Sequence, residues 1–241
     1  MSGVLTVIPA RLGSTRFPGK VLARLGGRSM VEWCWRAAKA AKLGPVLVAT
    51  DARSVADEVR RFGGDAVMTP SSCPSGSDRV WLAAKHRREQ IILNYQGDMP
   101  LLQSATLRAT VTALTRGTDI ATAVIPLAAG KRFLDPNVVK AVLARDGRCL
   151  YFSRAAVPFG RDGASVRCWE HLGLYAYRRG ALKRFVSLPP SPLEKAEKLE
   201  QLRALEAGMT LRAAVVAERP VAVDVPADLT RAAKFLRRGT K

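Results

Sequence analysis

Apolar residues in the first half of the chain fall in short dense runs that alternate with amphipathic segments. The runs predict strands at 5–8, 46–50, 66–68, 91–95 and 120–125, and helical spacing predicts helices at 30–41, 54–62, 79–85 and 102–115. Gly44-Pro45 closes the first helix, and Asp51 reads as the cap of the second. Strands alternating with helices predict an α/β fold with a mostly parallel sheet flanked by helices. Between 69 and 78 the run Thr69-Pro-Ser-Ser-Cys-Pro-Ser-Gly-Ser-Asp78 marks irregular backbone. After Pro126 the pattern changes. Residues 138–144 and 149–152, joined by a turn at Asp146-Gly147, predict an antiparallel hairpin, and 171–177 a further strand. The chain then returns to helix at 193–207, strand at 211–216 and helix at 227–236. The expectation is one domain over 1–241 with a smaller antiparallel insert at about 130–178.

Composition narrows this picture. The 241 residues are 48% hydrophobic but only 6% aromatic, which predicts an aliphatic core. No apolar run approaches the roughly 18 residues of a membrane span, and no basic segment followed by an apolar one precedes the first strand, so neither a membrane anchor nor a secretion leader is expected. Cys34, Cys73, Cys149 and Cys168 are widely spaced, with no C-x-x-C pair. They read as reduced thiols of a cytoplasmic protein rather than as disulfides or zinc ligands. The 39 Lys and Arg against 20 Asp and Glu leave a net charge of +19. That excess gathers anions. It is dispersed along the chain, and no zinc-finger, RNP or basic-zipper pattern accompanies it, so no specific nucleic-acid partner is expected.

The candidate chemistry starts where the first strand empties into Pro9-Ala-Arg-Leu-Gly-Ser-Thr-Arg-Phe-Pro-Gly-Lys20. Backbone N–H groups, hydroxyls and fixed positive charge at the carboxyl end of a strand suit a polyphosphate, with Arg11 and Lys20 as its counter-charges; a polar turn with scattered arginines is the alternative. The loop is neither a Walker A loop nor Gly-x-Gly-x-x-Gly. Asp98 follows the strand at 91–95 in Gln96-Gly-Asp-Met-Pro100, and Asp224 ends an apolar run in Val221-Ala-Val-Asp-Val-Pro226. Together they can hold Mg2+ against nucleotide phosphates; the alternatives are a turn aspartate and a helix cap. His171 and Tyr175 project from one strand face and can meet one substrate or merely pack together. Arg154 can clamp a carboxylate or lie on the surface. Glu200 and Gln201 stand in a charged amphipathic helix whose polar residues are ordinarily solvated.

Taken in order, these motifs resemble one family, the 3-deoxy-manno-octulosonate (Kdo) cytidylyltransferases. The pieces are Ile8-Pro-Ala-Arg-Leu-Gly-Ser-Thr-Arg-Phe-Pro-Gly-Lys20, Val48-Ala-Thr-Asp51, Ser75-Gly-Ser-Asp-Arg79, Asn94-Tyr-Gln-Gly-Asp98, Asn137-Val-Val-Lys140, Tyr151-Phe-Ser-Arg154, His171-Leu-Gly-Leu-Tyr175, Ser191-Pro-Leu-Glu194, Leu199-Glu-Gln-Leu-Arg203 and Val223-Asp224. The resemblance implies a Rossmann-like nucleotidyltransferase fold, a homodimer, and Mg2+-dependent transfer of CMP from CTP to an acidic sugar, as in lipopolysaccharide biosynthesis. It assigns Arg11, Ser14 and Lys20 to the triphosphate, Arg79 and Gln96 to the nucleotide, and Asp98 and Asp224 to Mg2+. It assigns Arg154, His171, Tyr175, Glu200 and Gln201 to the acceptor, within the insert and the helix that follows. Two departures stand out: Met99 where the family usually has Glu, and Val225 where Thr is common. They leave open an amino-Kdo, another ulosonic acid or a smaller anionic metabolite as acceptor.

Overall fold

A computed structural model describes residues 3–13, 17–164, 166–217 and 219–239. The chain forms two compact units, one from residues 1–108 and 220–241, the other from 109–219. The second unit is therefore wider than the insert expected at 130–178, because strands before and after that range, at 120–127 and 211–215, extend the sheet to which the hairpin belongs.

In the first unit, β1 (Val4–Pro9) leads through a loop and one 3-10 turn to a short hairpin, β2 (Arg24–Leu25) and β3 (Arg28–Ser29), which the hydrophobic pattern did not signal. Next come α1 (Met30–Ala40), β4 (Val46–Thr50), α2 (Arg53–Arg61), β5 (Asp65–Met68), α3 (Gly76–Ala84) and β6 (Ile91–Asn94). The four longer strands pair in parallel in the order β6-β1-β4-β5. Strand β1 has parallel neighbours on both sides, and its residues from Val4 to Ile8 are all buried. Its near-continuous apolar run is what a strand covered on both faces requires. The connections run from β1 outward to β4 and β5, then reverse to place β6 on the other side of β1. That reversal opens a crevice at the carboxyl ends of β1 and β6, the usual ligand site of such sheets.

The helix starts are set by short polar side chains. Ser29 caps α1 and Ser75 caps α3, each accepting from the backbone N–H three residues on. Asp51 does not cap α2, which begins behind Ala52 without a side-chain cap. Its carboxylate is engaged elsewhere, as described below.

The boundary between the units falls within α4 (Ser104–Thr112). The second unit contains β7 (Ile120–Leu127), α5 (Lys131–Leu134), β8 (Lys140–Leu143), β9 (Cys149–Ser153), β10 (Cys168–Arg178), α6 (Arg179–Ser187), α7 (Pro192–Glu197), α8 (Gln201–Glu206) and β11 (Leu211–Val215). Strand β7 pairs in parallel with β11 and antiparallel with β10; β10 continues antiparallel to β8, and β8 forms the expected hairpin with β9. Lys140 is fully buried at the base of this hairpin. Its ammonium group donates to the carbonyls of Asp135, Val138 and Arg154, so all three protons are used without a carboxylate partner. Burial pulls its pKa below the ordinary lysine value.

The single helix expected at 193–207 is two. Ser191 and Glu194 form a capping box at the start of α7, and Lys198 ends it in a left-handed conformation at φ 53°. Tertiary contacts fix the break. The Glu197 carboxylate accepts from Ser153 Oγ at 2.6 Å and Arg154 N at 2.9 Å, while its carbonyl accepts from Arg154 Nε at 2.7 Å.

Finally α9 (Pro226–Gly239) returns to the first unit. Val223 and Ala232 share a buried cluster with Leu25 and Met30, so the early hairpin and α1 form the seat for the returning chain. No helix among the described residues is long and apolar enough to cross a membrane.

Gly44, between α1 and β4, sits at φ +148°, and a Cβ there would stand 2.1 Å from the Val4 carbonyl oxygen. Backbone cannot yield as a flexible side chain does. We expect Gly44→Ala to destabilise the protein by about 3 kcal/mol, read as a lower urea midpoint with an unchanged m-value.

Candidate active site

The crevice at the carboxyl ends of β1 and β6 is a cavity of about 310 Å³. Pro9 and Arg11 from the loop after β1, Lys20 and Val21 from the following turn, and Gln96, Gly97 and Asp98 after β6 form part of its wall. Residues 73–76 and Arg79 of the irregular loop and α3, with Asp224, complete it. Every residue assigned to nucleotide and metal therefore borders one cavity, except Ser14, which lies outside the described residues.

Asp98 and Asp224 meet although they are far apart in sequence. Val223 N donates to the Asp98 carbonyl at 2.9 Å, pinning the two segments together. In the first turn of α9 (Pro226–Gly239), the Asp228 carboxylate reaches back and accepts from Asp224 N at 2.8 Å and Val225 N at 3.1 Å. The Asp224 side chain borders the cavity. Lys20 Nζ stands 3.4 Å from Asp98 Oδ2 and 3.3 Å from Asp224 Oδ1. Burial raises the Asp98 pKa, with the Asp224 charge adding to the rise and Lys20 opposing it. Gly97 lets this segment pass β1, since a Cβ there would lie 3.1 Å from the Pro9 carbonyl.

Two carboxylates converging on one cationic position fit Mg2+, which is usually bound by one or two carboxylates together with phosphate oxygens and water. No group of three or more His, Cys, Asp or Glu with metal-binding geometry occurs among the described residues. Met99, in place of the family's usual Glu, is 4% exposed and does not line the cavity; its carbonyl accepts from the Tyr95 hydroxyl at 2.6 Å.

Arg79 is buried and tightly held. Its Nη2 donates to Asp51 Oδ2 at 3.0 Å and its Nη1 to Thr69 Oγ1 at 2.5 Å. Gln96 Nε2 donates to Asn94 Oδ1 at 3.1 Å. Asp51, behind Arg79, and the wall residues Ser75 and Gly76 are among those to which the sequence assigned no role at the site. The available signal was position, since Asp51 follows a buried parallel strand just as the Asp98 segment does.

The residues assigned to the acceptor lie in the second unit. His171 and Tyr175 do share a face: their ring centroids are 5.3 Å apart, between Phe152 on one side and Tyr177 on the other. The register shifts between them, so four steps along β10 span two along β7. The irregularity leaves the Leu174 carbonyl to accept from Thr122 Oγ1 at 2.7 Å, and the same hydroxyl lies 2.9 Å from His171 Nε2. Because that hydroxyl has only one proton to give, His171 must donate from Nε2, leaving Nδ1 as the acceptor. Burial holds the imidazole neutral by pulling its pKa to about 3. The Tyr175 phenol is pushed well above its ordinary value by burial and by the neighbouring Tyr177 and Glu200.

Arg154 is not a loose surface residue. Besides Glu197, it donates from Nη1 to the Pro136 carbonyl at 2.9 Å, which leaves three of its five N–H groups outside these bonds. Gln201 departs most from the solvated position its helix predicts. It is 6% exposed, and its Nε2 is buried without a hydrogen-bond partner among the described residues. A stranded buried donor costs about 1–3 kcal/mol, so this amide is a natural place for a ligand oxygen.

The fold and this geometry together define a cytidylyltransferase: the cytidylyltransferase family model matches residues 5–211. A solved structure described as CMP:2-keto-3-deoxy-manno-octonic acid synthetase complexed with CTP superposes with a TM-score of 0.95 at 34% identity, covering 99% of this chain and 100% of that one. The 3-deoxy-manno-octulosonate cytidylyltransferase of Elusimicrobium minutum is 45% identical over 98% of this chain and 99% of its own length. That of Azorhizobium caulinodans is 50% identical over 98% and 96%. The chain belongs to the 3-deoxy-manno-octulosonate cytidylyltransferase family.

The His171 environment sets a pH dependence. Its folded pKa lies below the ordinary 6.5, so between these values the unfolded chain binds the extra proton and acid favours unfolding. We expect the His171 contribution to cost stability at up to about 1.4 kcal/mol per pH unit as pH falls from 6.5 towards 3. Denaturant titrations of wild type and His171→Gln should differ in pH slope between about pH 3 and 6.5 and converge above pH 7.

Proposed function

We propose that this protein transfers the cytidylyl group of CTP to the anomeric hydroxyl of Kdo, an acidic sugar, releasing pyrophosphate. The observation that carries this reading is the convergence of Asp98 and Asp224 on Lys20 inside a cavity that Arg11 and Arg79 also line. Cationic groups on several sides suit a triphosphate and the pyrophosphate that leaves from it. Arg11 and Lys20 neutralise the phosphates, and Arg79 and Gln96 orient the nucleotide. Asp98 and Asp224 would hold Mg2+, which when bound withdraws charge from the phosphate oxygens.

The acceptor hydroxyl attacks the α-phosphorus directly, so positioning and charge stabilisation carry most of the catalysis. No covalent intermediate through Cys34 is needed or favoured. Its thiol, packed below the Gln96 carbonyl, is pushed to about 12 by burial and by the Asp98 charge, which keeps it protonated.

For the acceptor, the remaining N–H groups of Arg154 suit a carboxylate. His171 Nδ1 suits a hydroxyl donor, and the unpaired Gln201 amide suits a sugar oxygen. Tyr175 and Glu200 complete the set. The same reading carries a homodimer and a cytoplasmic location. Exposed Phe159, Leu134 and Leu150 in the second unit offer apolar surface to a second copy, and the free cysteines suit a reducing compartment.

The test is pyrophosphate release from CTP, Mg2+ and Kdo, with EDTA abolishing it. Asp98→Asn should lower kcat by about two orders of magnitude or more with an unchanged circular dichroism spectrum. Near-normal turnover in that variant would remove Asp98 from the reaction. Release with other ulosonic or small acids but not with Kdo would move the acceptor.

A further inference from the structure

Asp51 directly follows β4 and stands outside the set of residues that the family resemblance assigns to substrates. Its side chain is 13% exposed, and its two oxygens are divided between the loop after β1 and Arg79 of the cavity wall. Oδ1 accepts from Leu12 N at 3.1 Å, in the loop that carries Arg11. Oδ2 accepts from Arg79 Nη2 at 3.0 Å, and the Arg79 side chain is only 4% exposed. One carboxylate thus ties the backbone of the phosphate-facing loop to the guanidinium on the opposite segment.

A second prop completes the hold on Arg79. Thr69 directly follows β5, and its N–H and its hydroxyl both donate to the Thr50 carbonyl, at 2.8 and 3.1 Å. The hydroxyl proton being spent there, Oγ1 presents a lone pair to Arg79 Nη1. Asp51 and Thr69 therefore stand at the carboxyl ends of two adjacent parallel strands and each accept from one terminal nitrogen of the guanidinium. An arginine held this way gives up less side-chain freedom when an anion arrives. A buried ion pair is weak evidence of net stabilisation, which directs attention to its placement beside the cavity.

We propose that Asp51 is a positioning residue for the nucleotide, setting Arg79 and the loop after β1 before the triphosphate binds. The proposal rests on the reading of this cavity as the CTP site. Asp51→Asn is the informative variant. Its amide oxygen still accepts from Leu12 N–H, but its amide N–H groups face Arg79, so only the arginine arm is lost.

Calorimetric titration with CTP should show Asp51→Asn binding about ten-fold more weakly, the range expected for one charge-assisted bond. The KM for the acceptor and kcat at saturating CTP should move by less than about three-fold. Because Asp51 acts through Arg79, the double variant Asp51→Asn/Arg79→Gln should bind CTP no more weakly than Arg79→Gln alone. CTP affinity within about two-fold of wild type, or two losses that multiply, would overturn the positioning role. Should Asp51→Asn fail to fold, Thr69→Val removes the other prop without changing charge and must weaken CTP binding in the same selective way, or the proposal falls. Failure of the wider reading looks different: Arg79→Gln would then leave CTP affinity unchanged, whereas failure of Asp51 alone leaves the Arg79→Gln loss intact.

Discussion

Two like charges face each other across a small cavity in the first unit, and a lysine ammonium between them makes that tolerable. Asp98 and Asp224 each stand within 3.4 Å of Lys20 Nζ. Without a cation there, their mutual repulsion in a partly desolvated crevice would oppose the closure of the unit. Much of the surrounding fold serves this meeting. The reversal of strand order opens the crevice, α9 packs back on the early hairpin, and one backbone bond from Val223 to Asp98 sets the distance between the segments. The arrangement is costly as a stability device and useful as a site, because the same carboxylates that hold an ammonium group can turn to a harder cation.

The distribution of charge follows the same division of labour. Away from the cavity, the carboxylates of the first unit are largely neutralised by arginine. Glu32 is shared by Arg28, Arg36 and Arg61, and Glu58 pairs with Arg24 and Arg61. The Arg61 bond draws the Glu58 pKa down to about 2. With the acids so engaged, the surplus of basic groups remains as a field that favours approach of anions. A protein whose substrates all carry negative charge gains encounter rate from it without needing a nucleic-acid partner to account for the composition.

Strand positions in the first half were legible in the sequence because most of these strands are apolar and largely buried, and glycine, proline or a helix start follows them. Asp98 and Lys20 were legible because a polar group at the carboxyl end of a buried parallel strand has few other reasons to follow one. What escaped was whatever depends on contacts made from elsewhere in the chain. The two-residue strands β2 and β3 carry too little pattern to register, and the break between α7 and α8 arises from Arg154, some forty residues earlier. Asp51 read as a helix cap because aspartate before a helix ordinarily is one, while its two true partners lie 39 and 28 residues away. Gln201 read as solvated because helical periodicity does not reveal what covers a polar face.

Lys140 carries a consequence of a different kind. Among the described residues, the buried Arg79 and Arg203 are anchored by the carboxylates of Asp51 and Glu194, and such anchors let go when the acid takes up a proton. The Lys140 ammonium is gripped by three peptide carbonyls alone. Peptide oxygens do not titrate in the physiological range, and in acid the amine is charged whether the chain is folded or not. The base of the β8–β9 hairpin thus has a clasp whose acceptors do not titrate, whereas Ser153 Oγ and Arg154 N beside it rest on the Glu197 carboxylate.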